Sequence, residues 1–396
     1  MKKVLSCLFV LLFLVGCKKE LTMPDFYNKN FDEFEEFVIK NNIKYEIKET
    51  YSDLDKDKIV WQNISPNKKI PKDSTIVITK SLGIDYKKYN VDESGNVPIM
   101  MYHGIVNLKD EETGYIGGNV DRDGYTRTVQ SFKRDLDFYY NEGYRMISLK
   151  DYINGDIDVA LGKSPIILTF DDGLSNNIKV TGLDENGNII IDENSAVGVL
   201  ESYKKKYPDF NITATFFINE ELFSQEKYND KILKWLIDNG YDVGNHTISH
   251  VDFTEIDSER TQKEVGLMYQ KLNSILGDKY VNIVALPYGS PYTDDDNNFK
   301  YIIDGNYNDI KYHTDSTLRV GWEADYSPFN KNFNKQFLKR IRAYDNNGKE
   351  FDIEMNFEIL KKNRYISDGN VDRIVVPNSK KDKINESYNK EYIYYN

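Results

Sequence analysis

The sequence predicts an α/β chain in two parts: a small α+β module over residues 22–82, then a parallel α/β sheet or barrel over 97–377. Three observations carry that reading. Beyond residue 97, apolar β-branched runs alternate with amphipathic helical stretches, the pattern of parallel strands joined by helical crossovers. Before residue 82, one helical face is followed by three short runs of period two. Between them, residues 83–96 are polar, lack a convincing period and read as a linker. With 396 residues and 40% hydrophobic content, there is enough chain for a large core and more than one domain.

The elements follow in order. Met1-Lys2-Lys3 is a basic start and Val4 to Val15 is almost wholly apolar, too short to span a bilayer comfortably, so residues 1–16 read as a signal peptide. Its end, Leu14-Val15-Gly16-Cys17, resembles the bacterial lipobox, which implies cleavage after Gly16, a lipid on Cys17 and attachment of the mature chain to the outer leaflet of the membrane. The two cysteines are Cys7 and Cys17, so a chain that loses its leader forms no internal disulfide. In the module, Asn30 is placed to cap a helix with Glu33 completing a capping box, and Phe31, Phe34, Phe37 and Val38 share one face. Strands are expected over 43–47, 58–63 and 75–79.

In the larger part, helices are expected over 132–141, 196–206, 231–239 and 259–276, with strands over 165–170, 281–285 and, more weakly, 241–245. Residues 181–195 read as an inserted hairpin or loop. The tail over 378–396, rich in Lys, Asn and Tyr, is expected to be loosely ordered, or equally to pack its tyrosines on the domain. A formal charge of −12 argues against nucleic acid as a partner and disfavours a strongly anionic polymer, although a local basic cleft would overrule the total.

Chemistry concentrates at two strand ends. Asp171 and Asp172 close the run Thr169-Phe170-Asp171-Asp172-Gly173, and His246-Thr247-Ile248-Ser249-His250 follows the weaker strand. Alone, an Asp-Asp-Gly is most often a solvated turn, and two histidines four apart are most often neighbours on a helical turn. Together, at the carboxyl ends of strands in a parallel fold, they point to an active site. One carboxylate and two imidazoles hold a divalent metal while leaving a position for water, and the second carboxylate is free to accept that water's proton. The expected chemistry is that of a metal hydrolase.

Five runs occur in order: 97–105 (with Tyr102-His103-Gly104-Ile105), 169–173, Ala214-Thr215-Phe216-Phe217-Ile218, 246–250 and Leu286-Pro287-Tyr288-Gly289. Together they resemble the polysaccharide deacetylases of the NodB-homology type, the family-4 carbohydrate esterases, over roughly residues 95–345. The resemblance implies a distorted (β/α) barrel, with Asp172, His246 and His250 as metal ligands and Asp171 as catalytic base. It implies zinc, with cobalt, manganese or nickel accepted by related enzymes. A backbone amide near Tyr288 would share the oxyanion. The arrangement of residues 22–82, with Met23-Pro24-Asp25-Phe26 at its start, looks like a single PASTA domain, which implies contact with peptidoglycan or a spacer role.

Two departures matter. Ala285 stands where the family carries the arginine that orients the base, and no Leu-His pair near the carboxyl end supplies an acid for the leaving amine. An amide anion is too basic to leave unprotonated, and once two of the four histidines are taken as ligands His103 and His313 are the candidate acids. The resemblance of Tyr102-His103-Gly104-Ile105 to a subgroup acting on exported poly-N-acetylglucosamine implies His103 rather than His313. Arg340, in Lys339-Arg340-Ile341-Arg342, is the nearest substitute for the arginine. The leading expectation is removal of acetyl groups from N-acetylglucosamine units of an exopolysaccharide or wall glycan. An inactive carbohydrate-binding or cell-wall scaffold protein is the alternative, suggested by Ala285 and the missing carboxyl-terminal histidine. A non-haem iron oxygenase is disfavoured by the second acid beside the ligand.

Overall fold

The computed structural model describes residues 20–396, which divide into two compact units at residues 85 and 86. The signal peptide expected over 1–16 and the lipidation expected at Cys17 lie outside the described residues.

In the first unit, the helix Phe31–Lys40 packs on a three-stranded sheet with Thr75–Ser81 at its centre. Lys44–Thr50 pairs with that strand in parallel and Ile59–Gln62 pairs with it antiparallel. Phe34 and Val38, four apart and so on one helical face, are fully buried with Ile59, Ile76 and Ile78. The expected capping box does not form. Asn30 occupies the cap position, but its side chain makes no cap hydrogen bond; its backbone bridges to Lys58 instead, and Glu33 N donates to Asn30 O.

The second unit is built on a nine-stranded sheet in which every pairing is parallel. Along it run Phe337–Leu338, Ser316–Leu318, Ile283–Ala285, Asp242–Asn245, Thr215–Ile218, Ser164–Phe170, Ile99–Tyr102 and Ile341–Arg342, with Tyr144–Met146 added beside Ser164–Phe170. The first and last strands of this path are separated in sequence only by Lys339 and Arg340, so the sheet must curl round on itself. Helices cross between the earlier strands, whereas none separates the last three, which makes the barrel a distorted one.

Strand alternation divides the core. Met100, Leu168, Phe170, Phe216, Ile218, Val243 and Ile341 pack outward with helix residues such as Phe132, Leu136, Leu200, Leu233 and Leu272. Their neighbours Ile99, Ile167, Phe217, Ile283, Leu318 and Leu338 form a separate interior cluster. Because side chains two apart share a face, the interior columns continue upward from 99 to 101 and 103, from 167 to 169 and 171, and from 338 to 340 and 342. The interior is apolar below and carries the chemistry at its carboxyl-terminal mouth. A truncation such as Leu338→Ala in that lower layer would cost about 2–5 kcal/mol.

Two sequence expectations change. The linker is shorter than 83–96: Tyr86–Tyr89 is a short helix, Val91 to Ser94 are buried, and Asn96–Val97 pairs with Asp325–Tyr326. The tail is not loose, since Glu391–Tyr395 forms a parallel strand with Arg373–Pro377 and Tyr388 packs on Phe329. Regular structure gives out at Asn245, where the weaker strand was expected to end, and His246 to His250 lie on the loop that follows. The hairpin expected over 181–195 is present, with Val180–Leu183 antiparallel to Ile189–Ile191.

Candidate metal and catalytic site

Asp171 and Asp172 cannot both face the barrel mouth while the strand alternates. Asp171 is on the interior face by parity with Ile167 and Thr169. Asp172 is brought round by a left-handed backbone angle of φ 71, after which Gly173 continues at φ 60. A side chain on Gly173 would meet Ile218 at 2.9 Å, so the turn is closed to larger residues.

The loop after Asn245 repeats the device, with φ 63 at Thr247 and 54 at His250 folding the second histidine back beside the first. Thr247 N donates to Asn245 Oδ1, and Ser249 donates through N and Oγ to the two carboxylate oxygens of Glu264. Glu264 is fully buried and ion-paired to Arg260, so the loop hangs from the long helix Ser258–Leu276. The result places a carboxylate oxygen of Asp172 3.1 Å from His246 Nε2 and 3.3 Å from His250 Nε2.

These three groups fit a divalent cation. One ligand atom from each lies within 4.8 Å of the others. His246 Nδ1 lies 2.8 Å from the carbonyl oxygen of Ala285; a carbonyl only accepts, so Nδ1 carries the hydrogen and the Nε2 lone pair is turned to the cluster. Against the upward push of burial, the adjoining imidazoles of His246 and His250 hold Asp172 well below the ordinary carboxylate range. Burial alone would lower His246, but Asp172 and Asp171 more than offset it and raise its pKa. The same negative field would draw a metal ion.

Asp171 is the second acid, and it is held differently. Arg340 reaches it with both guanidinium ends, at 2.8 and 2.7 Å, while also donating to Thr169 Oγ1 and the Arg319 carbonyl. Both side chains are almost wholly buried, at 0% and 2% exposure. Burial pushes the Asp171 carboxyl up, and Arg340 outweighs it, leaving Asp171 ionised with its pKa lowered. The arginine missing at Ala285 is thus replaced 55 residues later, from the two-residue link between the strands Phe337–Leu338 and Ile341–Arg342.

His103 and the metal cluster line one cavity of about 260 Å³, together with Asp171, Tyr125, Thr126, Leu174, Leu286, Tyr288 and Val320. Asn177 Nδ2 donates to the His103 carbonyl at 2.6 Å and Tyr125 sets its ring edge-on at 4.7 Å. His103 Nδ1 is buried with no hydrogen-bond partner among the described residues, so the imidazole is not tied to a strand end. Burial lowers its pKa despite the two acids, which makes its protonated form a strong donor. His313 is elsewhere: it is exposed on the hairpin Asp304–Tyr307/Ile310–His313, where its Nδ1 lies 2.7 Å from Asp304. Tyr288, at φ 58, sets its exposed ring edge-on to His250 at 4.7 Å. Tyr125, Thr126, Leu174 and Val320 went unread in the sequence; Val320 alone had a signal, two positions beyond the interior Leu318.

Residues 158–301 match the polysaccharide deacetylase family and residues 21–81 match the PASTA domain. The first match contains Asp171, Asp172, His246, His250 and Tyr288 and leaves out His103 and Arg340. No curated protein matches the chain. Among solved structures, the Streptococcus pyogenes deacetylase PplD, in complex with acetate, is similar at 18% identity and a TM-score of 0.46, covering 66% of this chain and 98% of its own. A de-N-acetylase from Aggregatibacter actinomycetemcomitans is 13% identical with a TM-score of 0.40, covering 62% and 94%. The BpsB deacetylase domain from Bordetella bronchiseptica is 12% identical with a TM-score of 0.41, covering 64% and 97%. The chain carries a polysaccharide deacetylase domain behind a PASTA domain, and its enzymatic class is that of a polysaccharide N-deacetylase.

Proposed function

We propose that this chain is a metal-dependent hydrolase that removes N-acetyl groups from N-acetylglucosamine units of a cell-surface polysaccharide, either an exopolysaccharide or peptidoglycan. The observation that carries it is the placing, in one cavity, of a metal-binding trio beside an ionised acid that is not part of it. Asp172, His246 and His250 would hold the ion, zinc being the proposed occupant. When bound, it supplies an acidified water and polarisation of the amide carbonyl. Asp171, kept ionised and aimed by Arg340, accepts the proton of the attacking water. His103 delivers a proton to the departing nitrogen, and the amide at Tyr288 helps to hold the oxyanion. Arg340 also answers one of the two reasons for reading the barrel as an inactive scaffold, because the base has an arginine beside it.

Acetate release tests this reading. The metal-loaded protein should free acetate from N-acetylglucosamine oligomers or from peptidoglycan, and a chelator should stop it; no acetate from either would overturn the assignment.

We further propose that the chain is tethered at the bacterial cell surface by a lipid on Cys17 and that its PASTA domain contacts peptidoglycan. Among the described residues, no helix is long and apolar enough to cross a membrane. Metabolic labelling with a palmitate analogue should mark the wild type and leave Cys17→Ala unlabelled.

A further inference from the structure

Arginines in this acidic chain are nearly all spoken for. Nine of the ten reach a carboxylate or a carbonyl: Arg127 pairs with Asp135, Arg145 with Asp209, Arg340 with Asp171 and Arg373 with Asp368, and the rest are similarly engaged. Among the described residues, Arg342 is the exception. Its guanidinium carbon lies over the ring of Tyr344 at 4.7 Å and that of Tyr125 at 5.2 Å, and among the described residues its N–H donors have no carboxylate or carbonyl acceptor.

Its place in the fold gives that free edge a meaning. Arg342 is two residues beyond Arg340, hence on the same interior face and nearer the mouth, and its strand partner is Met101, two before His103. Tyr125, against which it stacks, lines the catalytic cavity and touches His103. The rim is tied down: Asn119 exchanges hydrogen bonds with the backbone of Asp345, and buried Arg127 binds Asn119 and the Gly117 carbonyl. A half-buried guanidinium, immobilised by aromatic rings with its donors unspent, is pre-organised for a planar or tetrahedral oxyanion.

Building on the deacetylase reading above, we propose that Arg342 is a specificity-determining residue that binds an oxyanion, carboxylate or phosphodiester, on the sugar adjoining the N-acetylglucosamine unit being deacetylated. The preferred glycan is then anionic beside the reacting residue, and Arg342 is the local positive charge that lets a chain of net charge −12 accept it.

The test uses the full chain loaded with zinc and four substrates. These are a neutral N-acetylglucosamine tetramer, an alternating tetramer of N-acetylglucosamine and N-acetylmuramic acid with free lactyl carboxylates, the same tetramer methyl-esterified, and an N-acetylglucosamine trimer carrying a phosphodiester. The wild type should prefer a charged substrate over its neutral counterpart, and which one it prefers identifies the oxyanion. In Arg342→Met that preference should fall about tenfold, through KM rather than kcat, with Arg342→Lys intermediate. A wild type indifferent to esterification and to the phosphodiester overturns the proposal without any variant, as does an Arg342→Met whose losses are equal on all four. Acetate from every substrate without charge preference sinks only the role of Arg342. No acetate from any would sink the deacetylase reading, and this inference with it.

Discussion

Two clusters of metal-ligand side chains lie in the larger unit, and their difference shows what makes a site. Asp172, His246 and His250 form one; Glu93, Asp158 and Asp368 form the other, equally close together. In the second all the oxygens but one accept from protein donors; Asp158 Oδ2 is buried, without a partner among the described residues and outside the catalytic cavity. Glu93 accepts from the amides of Asp368 and Val375, Asp368 from Asn370 N and Arg373, and Asp158 Oδ1 from Tyr365 and Ser367. Burial, with Asp158 beside it, pushes Glu93 well above the ordinary carboxyl range, so a proton satisfies the pair. That cluster fastens the carboxyl-terminal segment 366–376 to the start of the unit. The first cluster turns nitrogen lone pairs and a depressed carboxylate toward a cavity. Proximity of ligand types is common to both; spare acceptor capacity facing an open space belongs to one.

The comparison can be broken or sharpened by substitution. The largest effect is expected at the ion pair beneath the first cluster. Arg340→Met leaves a buried carboxylate unpaired and should cost about 3–5 kcal/mol in denaturant melts together with nearly all turnover. Adding Asp171→Asn should restore most of the stability and none of the activity, and a double variant no more stable than the single would contradict this account.

Next, His103→Ala should lower kcat by about 10²–10⁴ while the protein still takes up metal in calorimetric titration. Survival of turnover would place the acid elsewhere.

Third, zinc titration should show one equivalent bound, lost in Asp172→Asn and kept in Asp158→Asn. The reverse pattern would exchange the roles of the two clusters.

The smallest effect is a pH dependence. A carboxyl raised by folding, as Glu93 is, contributes stability that is fully present below its unfolded pKa and is lost as pH rises through its folded value. Asp158→Asn replaces the shared proton with an amide donor and should flatten the alkaline decline in Tm, an effect on the order of 1 kcal/mol. An unchanged slope would mean that Glu93 does not hold that proton.

Much was legible along the chain. The helix Ala196–Lys206 and the strand Ser164–Phe170 have short-range periodicity that packing simply obeys. The ligand trio was legible because each member sits just past a strand end, where local residues set the turn. The capping box was misread because Asn30 pairs with Lys58, a partner that no local pattern specifies. The order in the 83–96 segment was missed, and that in the tail left open, for a similar reason: Glu93 and Tyr388 gain their burial from residues far away in the sequence.

The sequence by itself therefore determined the elements, the two units and the chemical type of the site, because periodicity, strand-end acids and paired imidazoles are written within a few residues of one another. Only the tertiary structure decided which arginine holds the base, which histidine shares the cavity and which acidic cluster keeps its lone pairs free. Those outcomes depend on strand order and on a sheet that curls until Arg340 stands across from Asp171, and contacts between such distant positions are fixed by closure of the fold rather than by any local preference.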